Sequence, residues 1–324
     1  MIKKILISLL LIITYNSCET TLDIELPNSE PKIVINSYMI SEEYWDARTQ
    51  FLTVSHSIDG LGSIQDYTYT DDIPVINTAT AIIKEISLDN SIINEYPLIF
   101  NDNCYCYSNP ELTPKENTMY ELNVSAEGYP SISATELMPF QPNYTISNFI
   151  MLNELDDTLS QELCEFNLNI KDIVNQNNYY RLKIFAVNTF KNTQEACEYE
   201  VQDPAFLIPI NRYSSLNNYY IGKRGYFTDE LFNGEERSMF IKVSKPSGNF
   251  DHFYIEVTAY SENLYQFNLT RKEQRRDQNN VLFNSEAIFI SSNINQGYGI
   301  FGGRAVTRKA YIPTYFPTNG WMDY

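Results

Sequence analysis

A period of two runs through this sequence, and it restricts the fold more than any other feature. In HFYIEVTA, Phe253, Ile255, Val257 and Ala259 alternate with His252, Tyr254, Glu256 and Thr258. Side chains of a strand point alternately to its two faces, so such a run is half-buried sheet and cannot settle as a helix. KIVINSYM repeats the pattern with Ile33, Ile35 and Met39 on one face, and TMYELNVS repeats it with Tyr120, Leu122 and Val124. ELCEFNLNI places Cys164, Phe166, Leu168 and Ile170 together, while YYRLKIFAVN is apolar on both faces, as a central strand requires. The 25 Tyr and 18 Phe suit the faces of such sheets. A platform of aromatic rings for a ligand is the sharper alternative.

Short strands separated by turn residues predict a mostly β protein built of two β-sandwiches. The first spans 31–140 and closes with SISATELMP, where Met138-Pro139 ends a strand. FQPNY (Phe140–Tyr144) has a proline and no pattern, which makes it the boundary, and a second β-rich domain spans 141–324. The rhythm breaks once. Ser261–Gln278 has no Pro or Gly, begins at a capping Ser261, spaces Tyr265 and Leu269 four apart and gathers basic residues near its end. The one sizeable helix is therefore expected near 261–277. Its Arg271, Lys272, Arg275 and Arg276 form a basic cluster, read as a solvated helix end, with a docking patch for an acidic partner as the alternative.

The beginning of the chain is a different signal. Lys3 and Lys4 precede an apolar run from Ile5 to Ile13, and small Ser17 stands before Cys18. This is the form of a signal peptide, residues 1–17, with Cys18 as the first mature residue and the attachment site of a thioether-linked lipid. Tyr15 departs from the leucine usual in that motif. The run falls short of the roughly 20 apolar residues of a membrane span, so the expectation is a protein anchored by several acyl chains rather than by a helix. Residues 18–30, acidic and holding Pro27 with Pro31 directly after, read as a tether.

Composition narrows the chemistry. The formal net charge is −18, which argues against nucleic acid as a partner. No glycine-rich phosphate loop is present. Two histidines, His56 and His252, show no nucleophile elbow beside them and no pairing with cysteines, so neither catalysis nor zinc is expected. Asp71-Asp72 and Asp156-Asp157 lack the spacing of a calcium loop and read as solvated acids. Of the cysteines after Cys18, Cys164 and Cys197 lie in neighbouring strand-like segments and are expected to pair as a disulfide. Cys104 and Cys106 share one face of an extended NCYCYS, with their state open. Asp157-Thr158-Leu159 matches a short acceptor pattern for O-glycosylation at Thr158.

The most specific motif is SNINQGYGIFGG (Ser292–Gly303), where four of the 12 glycines cluster. It resembles the signature near the end of a lipoprotein family of the Bacteroidota, domain of unknown function 4249. FTDELFNGE, YIEVTAYSENLYQF, IPVINTATAIIKE and YELNVSAEGYPSISATELMP are similar to other segments of that family. The resemblance implies an outer-membrane lipoprotein, facing the cell surface or the periplasm, with an immunoglobulin-like or carboxypeptidase-regulatory-like N-terminal sandwich. It implies no catalytic residues, no metal and no cofactor, and it suggests a TonB-dependent outer-membrane receptor as a partner in nutrient capture. A structural, adhesion or envelope-assembly role without a small ligand is the rival. The glycine-rich motif itself reads as a chain reversal that packs the last strands. Its alternative is a docking loop presenting Tyr298, Ile300 and Phe301.

Overall fold

The computed structural model describes residues 30–41, 51–57, 74–87, 89–151, 162–174, 176–206, 220–244, 250–277 and 289–311 of the 324-residue chain. Cys18, Thr158, Asp71-Asp72 and Asp156-Asp157 lie outside them. The fold is mostly β. Its first half carries β1 (Ile33–Ile40), β2 (Leu52–His56), β3 (Thr80–Ile86), β4 (Ile92–Asn101), β5 (Cys106–Ser108), β6 (Met119–Ser125) and β7 (Ile132–Leu137). The second carries β8 (Asn143–Met151), β9 (Glu162–Lys171), β10 (Tyr179–Asn188), β11 (Thr193–Ala196), β12 (Tyr199–Val201), β13 (Tyr220–Gly222), β14 (Gly225–Thr228), β15 (Glu236–Ser244) and β16 (His252–Tyr260). After β16 come the helix α1 (Glu262–Asp277) and the 14-residue strand β17 (Tyr298–Tyr311).

The strands form two sheets. One has 12 strands, ordered β11-β10-β16-β17-β1-β2-β5-β4-β3-β6-β7, with β14 paired to β10; the other has five, ordered β13-β12-β15-β9-β8. In the second half the sheets face each other. Leu182 and Ile184 of β10 and Phe253, Ile255 and Val257 of β16 share a core with Phe166 and Leu168 of β9 and Ile241 of β15. The alternation that marks these strands in sequence is the alternation of this sandwich, with one parity in the shared core. In the first half the large sheet folds over on itself. Ile33 and Ile35 of β1 lie five strands away from Leu122 of β6, yet they belong to one core with it.

The final strand joins the halves. Along its first stretch β17 runs parallel to β1, from Val34↔Tyr298 to Ile40↔Arg304. Along its second it runs antiparallel to β16, from Tyr260↔Arg304 to Phe253↔Tyr311. Arg304 is the residue where both neighbours flank the strand. Phe301 is buried in the core of the first half, and Ile300, on the opposite face, packs with Leu264, Tyr265 and Phe267 of α1. No helix of the described residues is long and apolar enough to cross a membrane.

Candidate functional site

The glycine-rich motif is the joint itself. Gly299 holds φ +102°, and a Cβ there would lie 1.8 Å from the Ile35 carbonyl oxygen, so no other residue fits beside β1. Asn293 supplies what a neighbouring strand would. Its Nδ2 donates to the Phe301 carbonyl at 2.7 Å, and its Oδ1 accepts from the Phe301 N–H at 3.0 Å. Tyr298 is half exposed and lies under the Lys32 ammonium. Ile300 and Phe301 are fully buried. The docking-loop reading is therefore corrected: the two side chains that would anchor a partner are already spent in two cores.

A second correction concerns the cysteines. Cys164 and Cys197 are free and buried, and the bond joins Cys104 to Cys106. Cys164 faces the sandwich core from β9, across from the sheet of β10 whose Ile184 carbonyl accepts the Cys197 N–H. Burial pushes the Cys164 thiol well up and the Cys197 thiol to about 11, so both remain protonated there. The aromatic residues also sort into cores: Tyr180, Phe227, Phe206 and Tyr220 stack in series inside the second half. Of the helix-end cations, Arg271 stacks on Phe267. His56 stacks on Tyr129, and His252 bonds the Asp251 carboxylate. Among the described residues, no group of three or more His, Cys, Asp or Glu could hold a metal ion.

Charge on the outer face of β10, β16 and β17 is organised about Glu256. Arg308 reaches it at 2.7 Å, and Arg181 and Lys183 reach it at 3.5 Å. Burial and then the adjacent Arg181 push Lys183 down to about 8. These pairs cross-link the three strands, which gives the cluster a structural role.

A different site has no such closure. A cavity of about 330 Å³ opens between the end of β7, the segment around Gln176 and the start of α1. Glu136 lines it. Along β7, Ile132 and Ala134 fill inward positions, and Glu136 takes the next one, 4 % exposed. Its Oε1 accepts from the Leu137 N–H at 3.1 Å and from Asn263 Nδ2 at 3.5 Å, and the Ser261 hydroxyl also bonds the carboxyl. Its Oε2 is buried with no partner among the described residues. Burial, with a smaller contribution from the Glu262 charge, pushes the carboxyl up to about 7.

The opposite wall is equally specific. Gln176 is held by its backbone carbonyl, which accepts from Asn233 Nδ2 at 2.9 Å and Asn178 Nδ2 at 3.3 Å. Asn178 is in turn fixed by Asp229, which takes its N–H at 2.9 Å and its amide at 3.1 Å. Gln176 Nε2 is buried without a partner among the described residues. Ser261 begins α1 as expected, but its hydroxyl accepts from the Gly303 N–H at 3.0 Å rather than from the helix, tying the cavity floor to β17. Residues of ATELMP and YSEN thus line the cavity, and FTDELFNGE braces its wall.

A mostly β, sandwich-built protein with one α-helix among its described residues and a polar cavity at the seam is the class these features define. Within that class, the chain belongs to the family described as Domain of unknown function (DUF4249), whose model matches residues 19–310. No curated protein matches it. The crystal structure of collagen adhesin (CNA) from S. aureus covers 87 % of this chain and 95 % of its own, at 10 % identity and a TM-score of 0.20. A structure of manganese lipoxygenase of Gaeumannomyces graminis, with part of zonadhesin of Komagataella pastoris, covers 71 % and 88 % at 10 % identity and a TM-score of 0.18.

Proposed function

We propose that this protein is an outer-membrane lipoprotein, anchored through Cys18, that acts without catalysis as the accessory or binding partner of a TonB-dependent transporter in nutrient capture or uptake. The observation that carries the reading is the start of the chain. A basic, then apolar leader stops at Ser17-Cys18, and the family match begins at residue 19. A thioether-linked diacylglycerol with an N-acyl chain gives stable attachment where a single chain would not. The body then offers a preformed polar cavity of a size that suits a small molecule.

Two measurements test this. Cys18→Ala should abolish incorporation of radiolabelled palmitate and release the protein from the outer-membrane fraction. Affinity purification from solubilised membranes, followed by mass spectrometry, should recover a TonB-dependent receptor. Recovery of envelope-assembly proteins in its place would replace transport with a structural role.

A further inference from the structure

We propose that the cavity at the start of α1 binds a small organic cation, a primary amine, whose ammonium group donates to Glu136 Oε2. The inference stands on the cavity alone and holds whatever the membrane partner is. Glu136 is the buried carboxyl of the cavity, and one of its oxygens has no donor among the described residues. Such an atom is costly to leave unmet, and the cavity gives a ligand donor room to reach it. Charge selects the kind of donor. None of the described residues lining the cavity is basic, and Glu262 adds a second carboxyl at its rim. An anion would meet acids with nothing to balance it, whereas an ammonium group neutralises a desolvated carboxylate.

The remaining walls fit the rest of such a molecule. Gln176 Nε2 is a donor without a partner among the described residues and calls for an acceptor oxygen on the ligand. Met119, Met138 and Phe140 supply apolar surface between the two polar ends. A calcium ion fits poorly, since it takes six to eight oxygens and Glu136 Oε1 is already engaged. Among the described residues, the titratable groups around Glu136 are Glu262 from α1, Tyr260 from β16 and Tyr120, its register partner on β6. None of these is a cation that would compete with the ligand.

The test uses two pairs of probes with the full-length protein in mild detergent. One pair is ethanolamine and ethylene glycol, and the other is 1,4-diaminobutane and 1,4-butanediol. Isothermal titration should give the amines at least about tenfold tighter binding than the diols near pH 8, the scale of one charge-assisted contact. Amine affinity should fall severalfold on going to about pH 6, where Glu136 takes up a proton that the ammonium must displace. Glu136→Gln should remove both the preference and the pH dependence. Gln176→Ala should weaken ethanolamine, which carries an acceptor hydroxyl, and leave diaminobutane unchanged. This second variant keeps the test independent of whether Glu136→Gln folds. Equal binding of amines and diols, a preference that survives Glu136→Gln, or no amine binding to folded protein would each overturn the proposal.

Discussion

Single atoms explain the special positions of this chain. Gly299 is required because the Ile35 carbonyl occupies the place a side chain would take. Gly299→Val should leave little folded protein, read as loss of the cooperative melt and of soluble yield. Glu136 is required for no comparable packing reason, and its presence costs stability. Its folded carboxyl sits near 7 against an ordinary 4.5, so the unfolded chain ionises first. Stability should therefore be full below about pH 4.5 with respect to this group and decline as pH rises toward about 7, by on the order of 3 kcal/mol. Glu136→Gln should flatten that slope in denaturant melts between those two pH values; an unchanged slope would assign the pH dependence to another group. The two core thiols give a third expectation. Cys164 and Cys197 should resist alkylation in native protein and react fully once it is denatured, with Cys104 and Cys106 protected until reduction.

At the scale of the element, β17 decides most. A 14-residue strand lies beside β1 at one end and β16 at the other, and Asn293 covers the edge between them. Phe301→Ala should cost about 3–5 kcal/mol, because the ring fills the first core and nothing mobile can replace it. Asn293→Ala leaves the Phe301 N–H and carbonyl without partners and should cost about 1–3 kcal/mol. Both are read from chemical denaturation of the same protein. A Phe301→Ala variant as stable as wild type would return that side chain to a surface role.

For the whole molecule, the consequence is coupling. The sequence boundary near Phe140 falls between β7 and β8, but the last strand of the chain returns to the first half and completes its core. The halves should melt in one calorimetric transition. Phe301→Ala should shift that transition as a unit, and two resolved transitions would mean that β17 does not bind the halves together. Seated between ATELMP of the first half and YSEN of the second, the cavity should lose its shape in the same transition.

The sequence by itself determined the local structure. Alternation in HFYIEVTA and ELCEFNLNI places each residue on its face because the pleat has a period of two. Absence of Pro and Gly with a serine start marks the helix and places its beginning to within a residue. Glu136 was not singled out from sequence; the signal that could have found it is an acid in the inward parity after Ile132 and Ala134, in a run that reads simply as a closing strand until its surroundings are known. Only the tertiary structure decided the pairings. Which strand lies beside β17, whether Phe301 faces solvent or core, and which cysteines meet all depend on contacts far apart in the chain. Neighbouring strand-like segments put Cys164 and Cys197 close in sequence terms, but Cys164 lies on β9 while Cys197 falls in the connection between β11 of the large sheet and β12 of the small one, and both thiols are free. The cavity belongs to that second kind of fact. Its walls come from residues more than a hundred positions apart, and no local pattern states that Glu136 Oε2 and Gln176 Nε2 lack a partner among the described residues.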